Sequence, residues 1–385
     1  PDSVEIASGM PSPDTVPYVS ATFKCKDGSE LHIDEETMKR ITPYQKTRGM
    51  PDMIKWMTII HKEFHNPPKM GAAEDGSQWG VTLCPGALGG MDYLFQEIMR
   101  KNDVVFLDEF AFGGTKKQVR KNRAVYVGLP MDGDGVIPDK LRDYLDRWEE
   151  VSLPFANGKK LNKPRVICMT PVGQNPTGVN TPLKRKQEIY KIAQEYNLLI
   201  VEDDPYYYLQ YSETPIPSYQ ALDVDGRVVR IDSMSKFITP GIRMGWISGP
   251  EEIISNTSKH MSLSCMSLSC FTEIAVVKLF DNLGIQGLRD RVKYLRDFYR
   301  ERRDTVEELV RKHLAGMATW TTPTAGMYLW LNISGTNDSM FLADKELCKK
   351  YKVYVVPALD FACDTTKKYS QIRICFARAP QSDLE

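Results

Sequence analysis

A chain of 385 residues has room for two or three domains, and it can bury a sizeable core without disulfide or metal staples. Hydrophobic content of 42% and charged content of 26% exclude disorder as a description of the whole. Fifty basic residues against fifty acidic ones argue against nucleic-acid binding through an overall basic field, and the lack of any apolar run of about 18 residues argues against a transmembrane helix.

Cysteines stand at 25, 84, 168, 265, 270, 348, 363 and 375, and none forms a CxxC pair. Neither a zinc site nor a disulfide scaffold is expected; reduced thiols in a cytoplasmic enzyme fit the pattern. Cys265 and Cys270 read as small buried residues. The chain begins at Pro1, so its natural N-terminus is expected to be absent.

Residues 1–42 are rich in Pro, Ser and Asp and read as an irregular arm with a strand or hairpin over Ala21–Ile33. A helical pattern covers Pro51–Phe64 and stops at Asn66-Pro67-Pro68. His61 and His65, spaced i, i+4 at its end, read as a helix-surface pair, because the glutamate of HKEFH is out of place for a zinc-protease motif. Trp79–Leu83 reads as a strand, CPGALGG as a glycine-rich turn and Met91–Arg100 as a helix. Further strands are expected at Asp103–Asp108, Ala124–Gly128, Arg165–Thr170, Leu198–Val201, Val228–Ile231 and Gly245–Ser248, with helices at Leu141–Glu150 and Leu183–Tyr196. Strands that alternate with helices imply parallel pairing, and short continuous apolar runs imply a sheet covered on both faces.

After about Pro250 the character changes. A tandem MSLSC repeat at Met261–Cys270 offers small residues for close helix packing. Leu288, Val292, Leu295, Tyr299, Val306, Leu309 and His313 then keep helical spacing. Met327–Ile333, Val353–Val356 and Gln371–Phe376 read as strands, and Leu342–Tyr351 as a helix. The expected division is an arm at 1–42 that contributes to a small domain, a large α/β domain at 43–284, and a connecting helix with the small α+β domain at 285–385.

Three strand ends present polar groups in succession. RVICMT runs into PVGQNPTG with Asn175; LLIV runs into EDDPYYYLQY with Asp203, Asp204 and Tyr206; VVRI runs into DSMSKFITPGIRMGW with Ser233, Ser235, Lys236 and Arg243. Ligands of doubly wound sheets bind beyond the carboxyl ends of strands, and this set suggests an anionic aromatic cofactor. Pyridoxal phosphate requires a lysine to carry it, a carboxylate to keep its pyridine nitrogen protonated, a donor at its ring oxygen, and hydroxyls with an arginine fork for its phosphate. The charge of Arg243 is expected to favour the neutral amine of Lys236.

SMSKFITPGIRMGW resembles the lysine motif of fold-type I aminotransferases, S-x-S-K-x-x-x-x-G-x-R-x-G, and NPTG and EDDPYYYLQY resemble two more of the family's signatures in the same order. GMPSP, PYQKTRGMP and HNPP are similar to the aromatic, 2-aminoadipate and kynurenine (type II) subgroup. The likeness runs from about Gly9 to Arg378. It implies that Lys236 carries the cofactor and shuttles the substrate proton. It implies that Asp203 faces the pyridine nitrogen, since the family's aspartate stands three residues before the tyrosine and Asp204 is one place off. By the same likeness Tyr206 and Asn175 serve the ring oxygen, and Ser233, Ser235 and Arg243 serve the phosphate. Tyr44 resembles a tyrosine lent by the neighbouring subunit, which implies a homodimer. Arg373 in QIRICFA resembles the clamp for the substrate carboxylate, and Gly9 lies in a segment that covers the substrate. Tyr328 and Tyr18 are further candidates for the substrate side.

Two departures stand out. Where the family offers a polar pair to the phosphate, this chain has Ala87 and Leu88, leaving backbone N–H groups of the following helix. Where the family stacks a tyrosine on the ring, it has Phe112. The resemblance implies a pyridoxal-phosphate-dependent aminotransferase with a large mostly parallel-sheet domain and a small domain made from both chain ends. Its expected partners are an amino acid and a 2-oxo acid such as 2-oxoglutarate, with no metal, nucleic acid or membrane. The same cofactor also serves carbon–sulfur lyases, and the same fold serves as the effector-sensing part of some transcription regulators; both remain alternatives.

Overall fold

The computed structural model describes residues 9–71 and 78–380. The hairpin of β1 (Ala21–Lys24) and β2 (Glu30–Ile33) leads into α1 (Glu35–Ile41) and α2 (Pro51–Phe64). The Asp34 side chain accepts from the Thr37 N–H and caps α1, whose first turn carries Glu35 and Glu36 and whose last carries Lys39 and Arg40, as the helix dipole favours.

The alternating segment follows in chain order: β3 (Trp79–Cys84), α3 (Gly86–Ile98), β4 (Asp103–Asp108), α4 (Gly113–Lys121) and β5 (Val125–Leu129). A small hairpin of β6 (Met131–Asp132) and β7 (Gly135–Val136) precedes α5 (Pro138–Asp146), α6 (Trp148–Ser152) and β8 (Asn162–Met169). Then come α7 (Leu183–Tyr196), β9 (Leu199–Asp203), β10 (Val228–Ser233), α8 (Met234–Phe237), β11 (Gly245–Pro250) and α9 (Glu251–Ser262). Seven strands form one sheet in the order β3-β11-β10-β9-β8-β4-β5.

The sheet is covered on both faces. Val105, Leu107, Val166, Cys168, Val201 and Ile231 point into the core shared with α2, α3 and α10 (Cys270–His313). Val104, Phe106, Ile167, Met169, Ile200 and Val228 point into a second core with Leu141 of α5 and Ile189 of α7. This two-sided burial is why the strands read as continuous apolar runs.

Several elements differ from the sequence expectation. β11 runs antiparallel to both neighbours, β10 and β3, within the mostly parallel sheet, although the alternation of strands and helices alone pointed to parallel pairing at this strand. Its connection from β10, Met234–Met244, is too short for a parallel crossover of about a dozen or more residues. CPGALGG is not a turn. α3 starts at Gly86, and a Cβ at Gly90 would lie 2.5 Å from Cys84 Sγ and 3.2 Å from Ile247 Cγ1, so this glycine lets the helix press onto the sheet. The helix expected over Leu141–Glu150 is broken at Arg147. The MSLSC repeat is no packed helix: α9 ends at Ser262, Leu263 is 88% exposed, and α10 begins at Cys270. Cys265 is exposed and Cys270 half-buried, against the expectation of burial. His61 and His65 are buried rather than on the surface; His61 Nε2 accepts from Trp246 Nε1 at 2.8 Å, and His65 Nδ1 lies 3.0 Å from Ser218 Oγ.

α10 is longer than its apolar pattern suggested and is interrupted at Gly284, where φ is 60° and ψ −176°. The break falls where the large and small domains were divided above. Beyond it, β12 (Ala318–Thr319), β13 (Tyr328–Ile333), β14 (Val356–Pro357) and β15 (Gln371–Cys375) form an antiparallel sheet in the order β12-β13-β15-β14. The β1–β2 hairpin supplies no strand to it. Ser339–Tyr351 winds as a π-helix over Leu342–Cys348 rather than as an ordinary helix.

Candidate active site

The carboxyl edge of the large sheet gathers the polar strand ends. β9 ends at Asp203, β10 at Ser233, and the loop after β8 carries Asn175. A cavity of about 240 Å³ lies there. Asn175, Asp203, Tyr206, Ser233, Ser235, Lys236 and Arg243 all line it, as do Ala87, Leu88 and Phe112. A larger cavity, about 930 Å³, opens at the β5 edge and holds none of these residues. The convergent polar chemistry, rather than volume, marks the smaller one.

Strand alternation separates the two aspartates. Asp203 faces the cavity, and no hydrogen-bond donor among the described residues meets its carboxylate. Burial pushes Asp203 up to about 7; Asp108 and Asp232 add to this and Arg230 opposes it. Asp204 points the other way, to Arg230 at 3.0 Å, within a fully buried group that includes Glu202 and Asp232. Burial raises Asp204 above the usual carboxylate range, with Arg230 pulling it back.

Lys236 stands half-buried in the short helix α8, and its amine bonds to no described side chain. Burial lowers its pKa; Arg373 adds to the lowering, and Cys375 works against it. The cation expected to act here was Arg243. Arg243 instead lies against the start of α3, donating from Nη1 to the Pro240 carbonyl at 3.2 Å and from Nη2 to the Pro85 carbonyl at 3.5 Å. Gly86 has φ +72°, which favours glycine, and a Cβ there would sit 2.4 Å from Arg243 Nη2, so the guanidinium would have to shift.

Arg373 comes from the small sheet. Its Nη1 donates to Asn175 Oδ1 at 2.7 Å, and its guanidinium carbon lies 4.5 Å from the Tyr328 ring centre and 4.8 Å from that of Phe361. Its Nε is buried with no partner among the described residues. Because arginine only donates, the Asn175 oxygen is occupied and its amide N–H₂ is free to donate.

Phe112 precedes α4. A Cβ at Gly114 would lie 2.4 Å from Phe112 Cε1 and 2.9 Å from Leu88 Cδ1, so the two apolar side chains meet over this glycine. Thr170, Met91, Pro205 and Tyr328 also line the cavity. Thr170 carried a usable signal, its place directly after β8; Met91 and Pro205 carried none. Tyr44 is 68% exposed and does not line this cavity, and Gly9 is exposed with nothing within 4 Å of a Cβ built on it.

These groups fit pyridoxal phosphate. Asp203 is a buried carboxylate lacking a donor, the complement of a protonated ring nitrogen. Asn175 and Tyr206 offer donors for a ring oxygen. For a phosphate, α3 directs the N–H groups of Gly86, Ala87 and Leu88, which have no partners within the helix, beside Arg243 and Ser235. α3 thus starts early enough for Ala87 and Leu88 to contribute backbone rather than side chains.

Comparison with known proteins agrees. The family model described as aminotransferase class I and II matches residues 15–385. The chain is 32% identical over 382 residues to the mitochondrial kynurenine/alpha-aminoadipate aminotransferase of Bos taurus, covering 99% of this chain and 89% of the bovine one. It is 28% identical to an aromatic amino acid aminotransferase of Dictyostelium discoideum, covering 99% of this chain and 79% of that one. Among solved structures, the aromatic aminotransferase Aro9 of Candida albicans superposes with a TM-score of 0.90 at 24% identity, covering 100% of this chain and 89% of that one. The Pyrococcus horikoshii kynurenine aminotransferase gives 0.80 at 24% identity, with 91% and 81% covered. The fold is thus that of fold-type I aminotransferases, and the chain belongs to the class I and II aminotransferases, which depend on pyridoxal phosphate.

Proposed function

We propose that the protein moves the amino group of an aromatic or related amino acid, with kynurenine and 2-aminoadipate included, to a 2-oxo acid such as 2-oxoglutarate. One observation carries the reading: Lys236, Asp203 and Tyr206 line a single cavity, and Arg373 from the other sheet is bonded to Asn175 in its wall. The names of the bovine and Dictyostelium relatives support the donor class.

When bound, pyridoxal phosphate supplies an electrophilic carbon and a ring that accepts electrons from the substrate α-carbon. Asp203 keeps the ring nitrogen protonated. Lys236 would hold the cofactor, and its free amine would take and return the α-proton; burial favours the neutral amine this requires. Arg373 binds the α-carboxylate through the N–H groups not engaged by Asn175. Arg243, Ser233, Ser235 and the start of α3 anchor the phosphate.

We also propose a homodimer in which Tyr44 reaches the partner's phosphate. Exposed apolar residues support a covered face: Tyr44, Leu263, Met266 and Phe271, with Tyr18 packed edge-on against Phe271 at 5.7 Å. The Met50 N–H donates to Glu273 at 2.6 Å, which ties the Tyr44 segment to the start of α10. Gly9 is proposed to cover the substrate in that assembly. No helix among the described residues is long and apolar enough to cross a membrane. A cytoplasmic location is proposed on the eight cysteines, which form no disulfide; fractionation of cells expressing the full gene tests it, since the bovine relative is named as mitochondrial.

The test is a donor panel with the cofactor-loaded enzyme. Amino donor alone should give one equivalent of oxo acid and then stop, and added 2-oxoglutarate should restore turnover. Continuous release of pyruvate and ammonia from a sulfur amino acid without any acceptor would instead establish the carbon–sulfur lyase.

A further inference from the structure

We infer that Tyr328 is a positioning residue, whose hydroxyl sets the hydrogen bond that Tyr206 makes to the ring oxygen of pyridoxal phosphate. The inference rests on the role proposed above for Tyr206. The two phenol oxygens lie 2.9 Å apart, and the rings meet edge-on with centres 5.6 Å apart. Tyr206 follows β9 of the large sheet, and Tyr328 opens β13 of the small one. Both line the same cavity, so their contact bridges the two sheets at the point of chemistry.

A phenol has one proton to give. When Tyr206 gives its proton to the ring oxygen, only the proton of Tyr328 can serve the 2.9 Å contact, so Tyr328 donates and Tyr206 accepts. A hydroxyl that accepts one hydrogen bond donates the next more strongly, by roughly 10–30% per bond. Arg373 sits over the Tyr328 ring at 4.5 Å, and its charge polarises the O–H further in the same direction. The charged and titratable groups facing the pair are Arg373 and Cys375 on β15, Asp203 on β9 and Lys236 on α8. Among the described residues, only Tyr328 hydrogen-bonds the Tyr206 hydroxyl. Burial raises both phenols above their ordinary range, so the pair acts as neutral donors in series.

The chain of donors stabilises negative charge on the ring oxygen. The proton shared with the Lys236 nitrogen is then easier to lose, and the Lys236-bound chromophore titrates at lower pH. Removing the Tyr328 hydroxyl should reverse this, but only while Tyr206 retains its own.

The experiment loads the wild type, Tyr328→Phe, Tyr206→Phe and the double variant with pyridoxal phosphate and follows absorbance against pH. Tyr328→Phe keeps the ring beneath Arg373, so cofactor uptake and melting temperature should match the wild type. Its titration midpoint should rise by about half to one pH unit, the worth of one net hydrogen bond. The double variant should titrate with Tyr206→Phe, because Tyr328 then has nothing to act through. A Tyr328→Phe midpoint equal to that of the wild type, or a double variant displaced by the sum of the two singles, would overturn the inference while leaving the cofactor site intact. Wild-type protein that forms no coloured complex would overturn the cofactor reading and this inference together.

Discussion

Arg373 Nη1 donates to Asn175 Oδ1 at 2.7 Å, across 198 positions of sequence. The bond fixes an arginine of the small sheet against the loop that follows β8 of the large one. It occupies one edge of the guanidinium and leaves the rest for a ligand. Replacing Arg373 with Lys should lower kcat/KM for amino acids by roughly 10–150-fold per charged hydrogen bond lost, from about 1.5–3 kcal/mol each. A lysine cannot keep both the Asn175 bond and a two-point grip on a carboxylate. Steady-state kinetics should show the loss chiefly in KM, with cofactor absorbance unchanged.

Lys236→Ala should abolish the absorbance band of covalently held cofactor and the borohydride-stable attachment seen by mass spectrometry. Turnover should fall by at least about 10²–10⁴-fold through loss of the positioned proton carrier alone. A variant that still traps the cofactor covalently at the same site would move the assignment to another amine.

Asp203 gives a pH-dependent prediction in the cofactor-free protein. Its carboxyl is raised from 3.8 to about 7 by burial, so the folded state favours the protonated form. The destabilisation is absent below the unfolded value, grows as pH rises from 3.8, and is complete above about 7. Asp203→Asn should therefore raise the melting temperature of the cofactor-free protein on the alkaline side of this window and leave it unchanged on the acid side. In the loaded enzyme the same change should cost turnover, because an amide cannot hold the ring nitrogen protonated.

Ala87 and Leu88 lie in the first turn of α3, where the backbone N–H groups have no partner within the helix. The double change Ala87→Ser and Leu88→Gln should add side-chain donors beside Arg243. A gain of about 0.5–1.5 kcal/mol per net hydrogen bond predicts cofactor affinity tighter by roughly 2–13-fold for each. Titration of cofactor-free protein with pyridoxal phosphate measures it. Unchanged affinity would show that the phosphate is held away from this turn.

Tyr44 separates a shared site from a self-contained one. Tyr44→Ala should weaken cofactor affinity although the residue is 68% exposed and absent from its own chain's cavity. Mixing Tyr44→Ala subunits with Lys236→Ala subunits should restore activity above either alone, since one site in the mixed dimer is then complete. No restoration would confine Tyr44 to packing.

The local motifs were readable because Asp203, Ser233, Ser235 and Lys236, which the structure brings to one cavity, lie within a few residues of a strand end. The interval from Asp203 to Tyr206 and the S-x-S-K run around Lys236 are written in backbone turns of one loop each. The boundaries of β4 fell where its apolar run and flanking aspartates put them, whereas β9 runs two residues past the expected Val201 to Asp203, because its apolar run stops before the strand does. The glycines of CPGALGG misled because glycine marks turns and close packing alike, and only the 2.5 Å approach to Cys84 at Gly90 tells them apart. His61 and His65 misled because their i, i+4 spacing describes a helix face but does not say which face is covered. The same holds for Cys265 and Cys270, whose small size suits a core yet left them on a loop and at a helix start.

Sequence by itself singled out the lysine, the aspartate and the hydroxyl and arginine groups proposed for the chemistry, and the structure brings Lys236, Asp203, Ser233, Ser235 and Arg243 to one cavity. These depend on side-chain type at fixed local spacing, which a short stretch of backbone enforces. Tertiary structure alone decided what surrounds them. It turned β11 antiparallel, sent Asp204 to Arg230 while Asp203 met the cavity, supplied Arg373 rather than Arg243 as the cation acting on Lys236, and placed the Tyr328 hydroxyl on Tyr206. Each of these relations joins different strands or helices. Each depends on strand order, on the approach of the small sheet and on which apolar faces are buried, quantities set by packing of the whole chain.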